Sequence, residues 1–237
     1  MKIPYYQKLT LLDYPGKTAA TIFTDGCNFR CPFCHNAALV VRHPEEYLAP
    51  DEVFAFLKKR AGLLDGICIT GGEPLLQPDL EDFIKQIKAM GFLVKLDTNG
   101  SFPERLEKLL QNGLIDYVAM DIKNSPEKYP ETIGINTANA GKIQAEVERS
   151  MKLIARLSPD YEFRTTAVAS LHQPKDFESI ASWISQVASP DAKYFIQCFK
   201  DSGDTIEQGL SALDENTLEA SKNAALTHLK HVELRGI

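Results

Sequence analysis

The sequence predicts an α/β fold built as a partial, open (β/α)6 barrel. Short apolar runs alternate with amphipathic segments at intervals of roughly 25–45 residues, a pattern typical of βαβ units on a parallel sheet. Six or seven such units are too few for the closed eight-fold barrel of about 250 residues, so we expect an open barrel. An open, doubly wound sheet is the alternative. In both folds, ligands bind beyond the carboxyl ends of the strands.

Seven short apolar runs are predicted to be the strands. Each has the length of a buried strand and is followed by a polar or amphipathic segment. They are Thr18–Thr24, Gly66–Thr70, Phe92–Asp97, Tyr117–Asp121, Tyr161–Ala169, Tyr194–Phe199 and His231–Arg235.

Four segments between these strands have the apolar spacing of a helix with one buried face. Their apolar positions are Leu80, Phe83, Ile84 and Ile87 in the first, Leu106, Leu109 and Leu110 in the second, Ile143, Val147, Met151 and Ile154 in the third, and Phe177, Ile180, Ala181 and Ile184 in the fourth. The pattern Ser101-Phe-Pro-Glu104 predicts a capping box that opens the second helix, and Asn112-Gly113 predicts its end.

The length and composition predict a single domain over residues 1–237, because no linker, repeat or low-complexity block divides the chain. A net charge of −6 argues against a nucleic-acid-binding surface, which needs a basic patch. The chain starts without an apolar signal segment and has no run long enough to cross a membrane. We therefore expect a cytoplasmic protein without nucleic-acid or membrane partners.

Three cysteines after the first predicted strand form a C-x3-C-x2-C array: Cys27, Cys31 and Cys34. Such an array can hold an iron–sulfur cube that normally has four cysteine ligands, so one iron would be left open for a small molecule. Structural thiols and a zinc site are the alternatives. Zinc would need a fourth ligand, and His35 directly follows Cys34 and cannot easily bend back onto the same ion. Disulfides are disfavoured by five cysteines in a reducing compartment.

The other two cysteines are predicted to lie in the core. Cys68 and Cys198 both belong to apolar runs, where a cysteine behaves as a small hydrophobe. Either could supply a fourth cluster ligand, but nothing in its surroundings indicates that role.

Three further predicted strands end in glycine-rich or charged signals. The pair Gly71-Gly72 lets the backbone approach a ligand without interference from a Cβ atom. Asp97 and Asp121 bring carboxylates to neighbouring strand ends, where turn capping is an equally good explanation. Lys123 could bind a carboxylate or a hydroxyl group, although a solvated lysine is the simpler explanation for that residue alone.

Together these motifs resemble the radical S-adenosylmethionine (SAM) superfamily, through the cysteine array and Gly71-Gly-Glu-Pro74. The longer strings Leu11–Gly16 and Thr24–Asn36 resemble glycyl-radical-enzyme activases, most closely the anaerobic ribonucleoside-triphosphate reductase activating proteins. The similarity covers essentially the whole chain and implies a partial barrel of the radical SAM type.

The resemblance also implies a role for each matching residue. One 4Fe–4S cluster would be held by Cys27, Cys31 and Cys34, and its open iron would bind SAM. The adenine would lie along Phe33, Cys34 and His35, and the methionine amine would be bound by Gly71, Gly72 and Glu73. The ribose and carboxylate would be surrounded by Asp97, Asp121, Lys123 and Arg164, with a monovalent cation near the two aspartates. Asp13 and its neighbours are expected to reach the barrel mouth.

The implied activity is reductive cleavage of SAM to generate a glycyl radical on a partner enzyme, here an anaerobic ribonucleotide reductase, with reduced flavodoxin or ferredoxin as electron donor. Two departures stand out: residues 36–50 lack the extra cysteines of some activases, and Gln197-Cys-Phe199 replaces a histidine found near SAM. Two rival functions remain. One is a radical SAM enzyme acting on a small metabolite, such as 7-carboxy-7-deazaguanine synthase. The other is a non-catalytic iron–sulfur electron carrier.

Overall fold

The computed structural model describes residues 1–135 and 140–237. Within these ranges one eight-stranded sheet follows the order of the chain. Its strands are β1 (Tyr6–Thr10), β2 (Ala19–Thr24), β3 (Gly66–Gly71), β4 (Leu93–Thr98), β5 (Tyr117–Asp121), β6 (Tyr161–Ala167), β7 (Lys193–Cys198) and β8 (His231–Arg235). The neighbours from β2 to β8 are parallel, and β1 is antiparallel to β2. The predicted open barrel is confirmed, since β8 and β1 are not paired.

Seven helices occur in the same part of the chain. They are α1 (Pro50–Lys58), α2 (Leu80–Ala89), α3 (Pro103–Gln111), α4 (Tyr129–Thr132), α5 (Ala140–Leu157), α6 (Pro174–Val187) and α7 (Glu215–Ala225). A short π-helix at Ala38–Arg42 and a 3-10 turn at Pro74–Leu76 complete the set. None of these described helices is both long and apolar enough to cross a membrane.

The seven predicted strands and four predicted helices are all present, with strand ends that differ by no more than two residues. The sequence analysis missed β1, because most of its residues are exposed and carry no buried face. It also missed three helices, α1, α4 and α7. The helix α4 has only four residues, and the buried positions of α7, Leu218, Ser221 and Ala225, are mostly small and give weak periodicity.

The predicted capping box at the start of α3 was wrong. The side chain of Ser101 donates to Oδ1 of Asn99 at 2.6 Å instead of capping the helix, and Glu104 pairs with Arg149 at the surface. The helix begins at Pro103, which fits the first helical position because that residue needs no backbone N–H partner.

The inside of the barrel is charged, and four side chains pack together towards its amino end. Arg235 binds Glu162 through two hydrogen bonds of 2.8 Å, and the hydroxyl of Tyr117 donates to the same carboxylate at 2.8 Å. The ring of Tyr14 packs against Tyr117 with centroids 5.9 Å apart. We call these four residues the barrel floor.

The position of Tyr14 corrects the expectation for the segment Asp13–Gly16. Tyr14 packs with Ala19 and Tyr117, which lie at the amino ends of their strands. This segment is therefore at the floor of the barrel and does not reach the mouth, where the strands have their carboxyl ends.

Candidate active site

One cavity of about 260 Å³ at the carboxyl ends of the parallel strands contains every site residue that the sequence predicts. Its wall includes Cys27, Cys31, Phe33, Cys34, His35, Gly71, Gly72, Glu73, Asp97, Asp121, Lys123 and Arg164. The fold thus collects residues from the loop after β2 and from the ends of β3, β4, β5 and β6 in one place.

The three cysteines lie on the loop after β2, which we call the cysteine loop. All three are free thiols, Cys31 buried and the other two partly buried. Burial raises the pKa of the Cys27 thiol to about 11 and that of Cys31 to about 12, and it also raises the pKa of Cys34. Because metal ligands must be thiolates, binding of iron has to displace protons from this loop.

No single-ion site is preformed among these thiols. In the described residues, no group of three His, Cys, Asp or Glu side chains converges closely enough to hold one ion. A zinc ion needs its sulfur ligands about 2.3 Å from one centre. The cysteines of a 4Fe–4S cluster each bind a different iron and do not have to meet at one centre.

The glycine pair at the end of β3 is packed against the cysteine loop. A Cβ atom on Gly72 would lie 1.9 Å from the carbonyl oxygen of Gly26, and one on Gly71 would lie 2.4 Å from the amide nitrogen of Thr24. The carbonyl of Gly71 also accepts a hydrogen bond of 2.6 Å from the side chain of Asn36. The sequence analysis assigned these glycines to ligand approach alone, and the packing of the protein itself also requires them.

The carboxylate of Glu73 joins the glycine loop to the loop after β4. It accepts hydrogen bonds from the backbone amides of Asn99 (2.7 Å) and Leu75 (3.1 Å) and from the hydroxyl of Thr98 (2.9 Å). Burial raises the pKa of Glu73 to about 7, against the opposing effect of these three donors. Its side chain therefore holds the two loops together, whatever else it binds.

Arg164 lies between the carboxylates of Asp97 and Asp121. Its Nε donates to Oδ1 of Asp121 at 2.9 Å, and its Nη2 is 3.4 Å from Oδ2 of Asp97. Nζ of Lys123 donates to Oδ2 of Asp121 at 2.9 Å. Burial alone would raise the pKa of Asp121, but the charges of Arg164 and Lys123 outweigh burial and lower it to about 2.

This charged set is balanced. Lys95 pairs with Asp97 from inside the barrel and Glu162 lies 4.0 Å from Arg164, so three cations face three carboxylates. Buried charges are stable only when they are paired, and the set presents both cationic and anionic groups to a ligand that carries both charges. Turn capping, the alternative explanation for the two aspartates, has no support, because neither carboxylate binds a backbone amide in the described part of the chain.

A monovalent cation does not fit the two aspartates as they are arranged. The guanidinium of Arg164 occupies the space between their carboxylates, so a cation there would have to displace it.

The aromatic side of the cavity is fixed by neighbouring loops. Phe33 is buried, with its ring edge-on to His172 at 6.4 Å between centroids. The exposed ring of His35 stacks on Phe199 at 5.2 Å, and its Nε2 is 2.8 Å from the carbonyl oxygen of Lys200. The loop after β7 thus holds the end of the cysteine loop.

His172 is a site residue that the sequence analysis missed. Its Nδ1 accepts from the backbone amide of Val168 at 3.2 Å, so the proton is on Nε2, which donates to the carbonyl oxygen of Lys123 at 2.9 Å. His172 therefore fixes the backbone of Lys123 and the ring of Phe33. No motif surrounds this histidine, so no sequence pattern marks it as a site residue.

The remaining cysteines do not line the cavity. Cys68 is buried as predicted, but inside the barrel, 3.8 Å from Nζ of Lys95. Cys198 is partly buried and packs at the edge of the main core. Gln197, at the position where related activases have a histidine, does line the cavity.

Comparison with known proteins identifies the family. The sequence model of the Radical SAM superfamily matches residues 21–183, and the chain belongs to this superfamily. It is 34% identical over 232 residues to a Methanocaldococcus jannaschii protein named "Putative glycyl-radical enzyme activating enzyme", covering 97% of this chain and 93% of that one. It is 31% identical over 128 residues to the pyruvate formate-lyase-activating enzyme of Clostridium pasteurianum, covering 52% of each.

The fold is also similar to a solved structure, that of a radical SAM methyltransferase from Sphaerobacter thermophilus. The TM-score is 0.73 at 14% identity, and the match covers 96% of this chain and 68% of that one. Membership of the superfamily implies a 4Fe–4S cluster and SAM. Three free thiols on one wall and a set of paired cationic and anionic side chains on the other fit these two groups.

Proposed function

We propose that this chain is an activase that uses a 4Fe–4S cluster and SAM to generate a glycyl radical on a partner enzyme. The observation that carries the proposal is the convergence of three free thiols and a set of paired charged side chains in one cavity of a radical SAM protein. The relative named as an activating enzyme supports it, because the similarity extends over nearly the full length of both chains.

The proposed roles follow the walls of the cavity. The three loop cysteines hold the cluster, and the chain's own charges bind SAM. In this arrangement Cys27, Cys31 and Cys34 bind iron; Gly71, Gly72 and Glu73 bind the methionine amine; Asp97, Asp121, Lys123 and Arg164 surround the ribose and carboxylate; and Phe33, Cys34 and His35 lie along the adenine. The bound cluster supplies an electron of very low potential for the cleavage of SAM. The protein's part is to orient SAM and to exclude water.

The lining of the cavity favours a protein substrate over a small metabolite. Every charged side chain in the described lining is already assigned to SAM, and none is left for a second small polar molecule. A glycine on a loop of another protein needs only to reach the mouth.

We further propose an anaerobic ribonucleotide reductase as the partner, reduced flavodoxin or ferredoxin as the electron donor, and residues 1–237 as one catalytic unit in the cytoplasm. These proposals depend on the resemblance of Leu11–Gly16 and Thr24–Asn36 to that branch of activases. A monovalent cation is left out, because Arg164 takes its place between the aspartates.

The test is an anaerobic reaction of the reconstituted, reduced protein with SAM and purified anaerobic ribonucleotide reductase. We expect 5′-deoxyadenosine to form and a glycyl doublet to develop on the reductase in electron paramagnetic resonance (EPR) spectra. Cys34→Ala should abolish both signals, and Cys198→Ala should retain both. SAM cleavage without a doublet would refute the reductase as partner and favour another glycyl radical enzyme or a small substrate. Absence of SAM cleavage would favour an electron carrier.

A further inference from the structure

One buried hydroxyl beside the cysteine loop has no acceptor for its proton. The side chain of Tyr129, the first residue of α4, is 1% exposed. The backbone amide of Lys123 acts on its oxygen, but no acceptor for the hydroxyl proton is found within the described residues. Leaving a buried hydroxyl unpaired costs about 1–3 kcal/mol, so such groups are rare and call for an explanation. An ion or cofactor that binds nearby is one of the recognised explanations.

The helix α4 packs against the loop that carries the proposed cluster ligands. Arg30 directly precedes Cys31, and its backbone amide donates to the carbonyl oxygen of Ile133 at 2.8 Å. A Cβ atom on Gly134 would lie 2.4 Å from the carbonyl oxygen of Arg30, so the two segments are in direct contact. The charged or ionisable groups that act on the Tyr129 hydroxyl include Lys123 and Cys31.

The three loop cysteines differ in the donors that their sulfurs receive. The backbone amide of Phe29 donates to Sγ of Cys27 at 3.4 Å, and the side-chain amide of Asn99 lies 3.8 Å from the same atom. Cys34 is stabilised as a thiolate by the backbone amide of Asn36. No donor to Sγ of Cys31 is found in the described ranges of the chain. The sulfur without a donor and the hydroxyl without an acceptor therefore lie in the same neighbourhood.

We propose that the Tyr129 hydroxyl donates a hydrogen bond to the sulfur of Cys31 when the cluster is bound, and that this bond sets the reduction potential of the cluster. Ligation makes Cys31 a thiolate, which is an acceptor that a buried hydroxyl can satisfy. A hydrogen bond to a cluster sulfur stabilises the more negative, reduced state and raises the potential. Tyr129 is thus a positioning residue that acts on the cluster through Cys31. The inference rests on the cluster assigned under the proposed function, and not on the identity of the partner enzyme.

The test replaces two buried tyrosines, each in a separate variant. The measurements are made on this protein in the absence of SAM and of a partner enzyme. In Tyr129→Phe we expect the midpoint potential of the reconstituted cluster, followed by EPR during a redox titration, to shift to a more negative value. The thermal midpoint of the cluster-free protein should stay equal or rise, because the variant removes an unpaired hydroxyl. Tyr194→Phe is the matched control: its hydroxyl is buried and donates to Oγ1 of Thr165 at 2.7 Å. It should lower the stability of the cluster-free protein and leave the potential unchanged.

An unchanged potential in Tyr129→Phe would overturn the proposal, as would a loss of stability in the cluster-free variant equal to that of Tyr194→Phe. If the phenylalanine variant does not fold, 2,3-difluorotyrosine at position 129 keeps the ring and makes the hydroxyl a stronger donor. The potential should then shift to a more positive value, and no shift would equally overturn the proposal. These measurements need no partner enzyme, so they remain valid if this protein activates no partner. The proposal for Tyr129 and the proposal for the partner enzyme can therefore fail independently.

Discussion

The contact between Gly72 and Gly26 makes a sharp prediction about the cluster. Gly72→Ala adds one methyl group at a position where the backbone is not otherwise strained, so its effect is steric. The new Cβ would lie 1.9 Å from the carbonyl oxygen of Gly26, where an ordinary contact is about 3.5 Å. One backbone must therefore move by about 1.5 Å.

Gly26 cannot move without disturbing its neighbours. Its amide donates to the carbonyl of Leu39 at 2.8 Å, and its carbonyl accepts from the amide of Glu73 at 2.8 Å. It directly precedes Cys27, the first cluster ligand. Overpacking of this kind costs about 1–3 kcal/mol, which corresponds to a fall of several degrees in Tm. We therefore expect both lower stability and a displaced cysteine loop.

The assay is iron and sulfide content after anaerobic reconstitution, together with thermal unfolding of the cluster-free protein. Gly72→Ala should take up markedly less iron than the parent protein. Gly141→Ala is the control, because its Cβ would meet nothing within 4 Å and alanine is favoured in a helix. Full iron content and an unchanged Tm in Gly72→Ala would refute the reasoning and return the glycine pair to a role in ligand approach alone.

Three further predictions follow from the cavity. Alanine at any of the three loop cysteines should abolish the cluster, whereas Cys68→Ala and Cys198→Ala should keep their iron; loss of iron in either would show a wrong ligand assignment. Because the folded pKa of Asp121 is lowered from 3.8 to about 2, its ionised form stabilises the fold above about pH 4, by about 2 kcal/mol, and this is lost as pH falls towards 2. Urea unfolding of Asp121→Asn should show this deficit at pH 7 and a shrinking one below pH 4; a constant deficit would contradict it. SAM affinity, measured by equilibrium dialysis, should be the same in potassium and tetramethylammonium buffers, and a marked loss without potassium would restore a cation to the site.

The sequence predicted the barrel well because its strands are buried and its helices have one apolar face. Both properties leave a periodic pattern in the chain, as at Leu80–Ile87. The antiparallel strand β1 left no such pattern, because it lies at the sheet edge with most of its residues exposed. The cap of α3 failed for a different reason: Ser101 has a better partner in Asn99, and a local motif cannot reveal that competition.

The candidate site was predictable where function follows from motifs and not where it follows from packing. The cysteine array and the strand-end residues are local patterns, and the fold brings all of them to one cavity. His172 contacts Lys123, and Tyr129 belongs to a helix that contacts the cysteine loop; both contacts join segments that are distant in the chain. No spacing in the sequence indicates such contacts. The segment Asp13–Gly16 shows the opposite error, because a motif match gave no information on which end of the barrel it occupies.

The barrel floor imposes an order on the events at the mouth. Because Tyr14, Tyr117, Glu162 and Arg235 pack together at the amino end, the cavity opens at the carboxyl ends of the strands, on the side where the partner protein would dock. On that route SAM would arrive before the partner's loop, and the products of its cleavage would depart after that loop withdraws. Each cycle of activation would therefore require association and full dissociation of the two proteins. A partner that dissociates slowly would limit turnover, as would a partner that binds weakly.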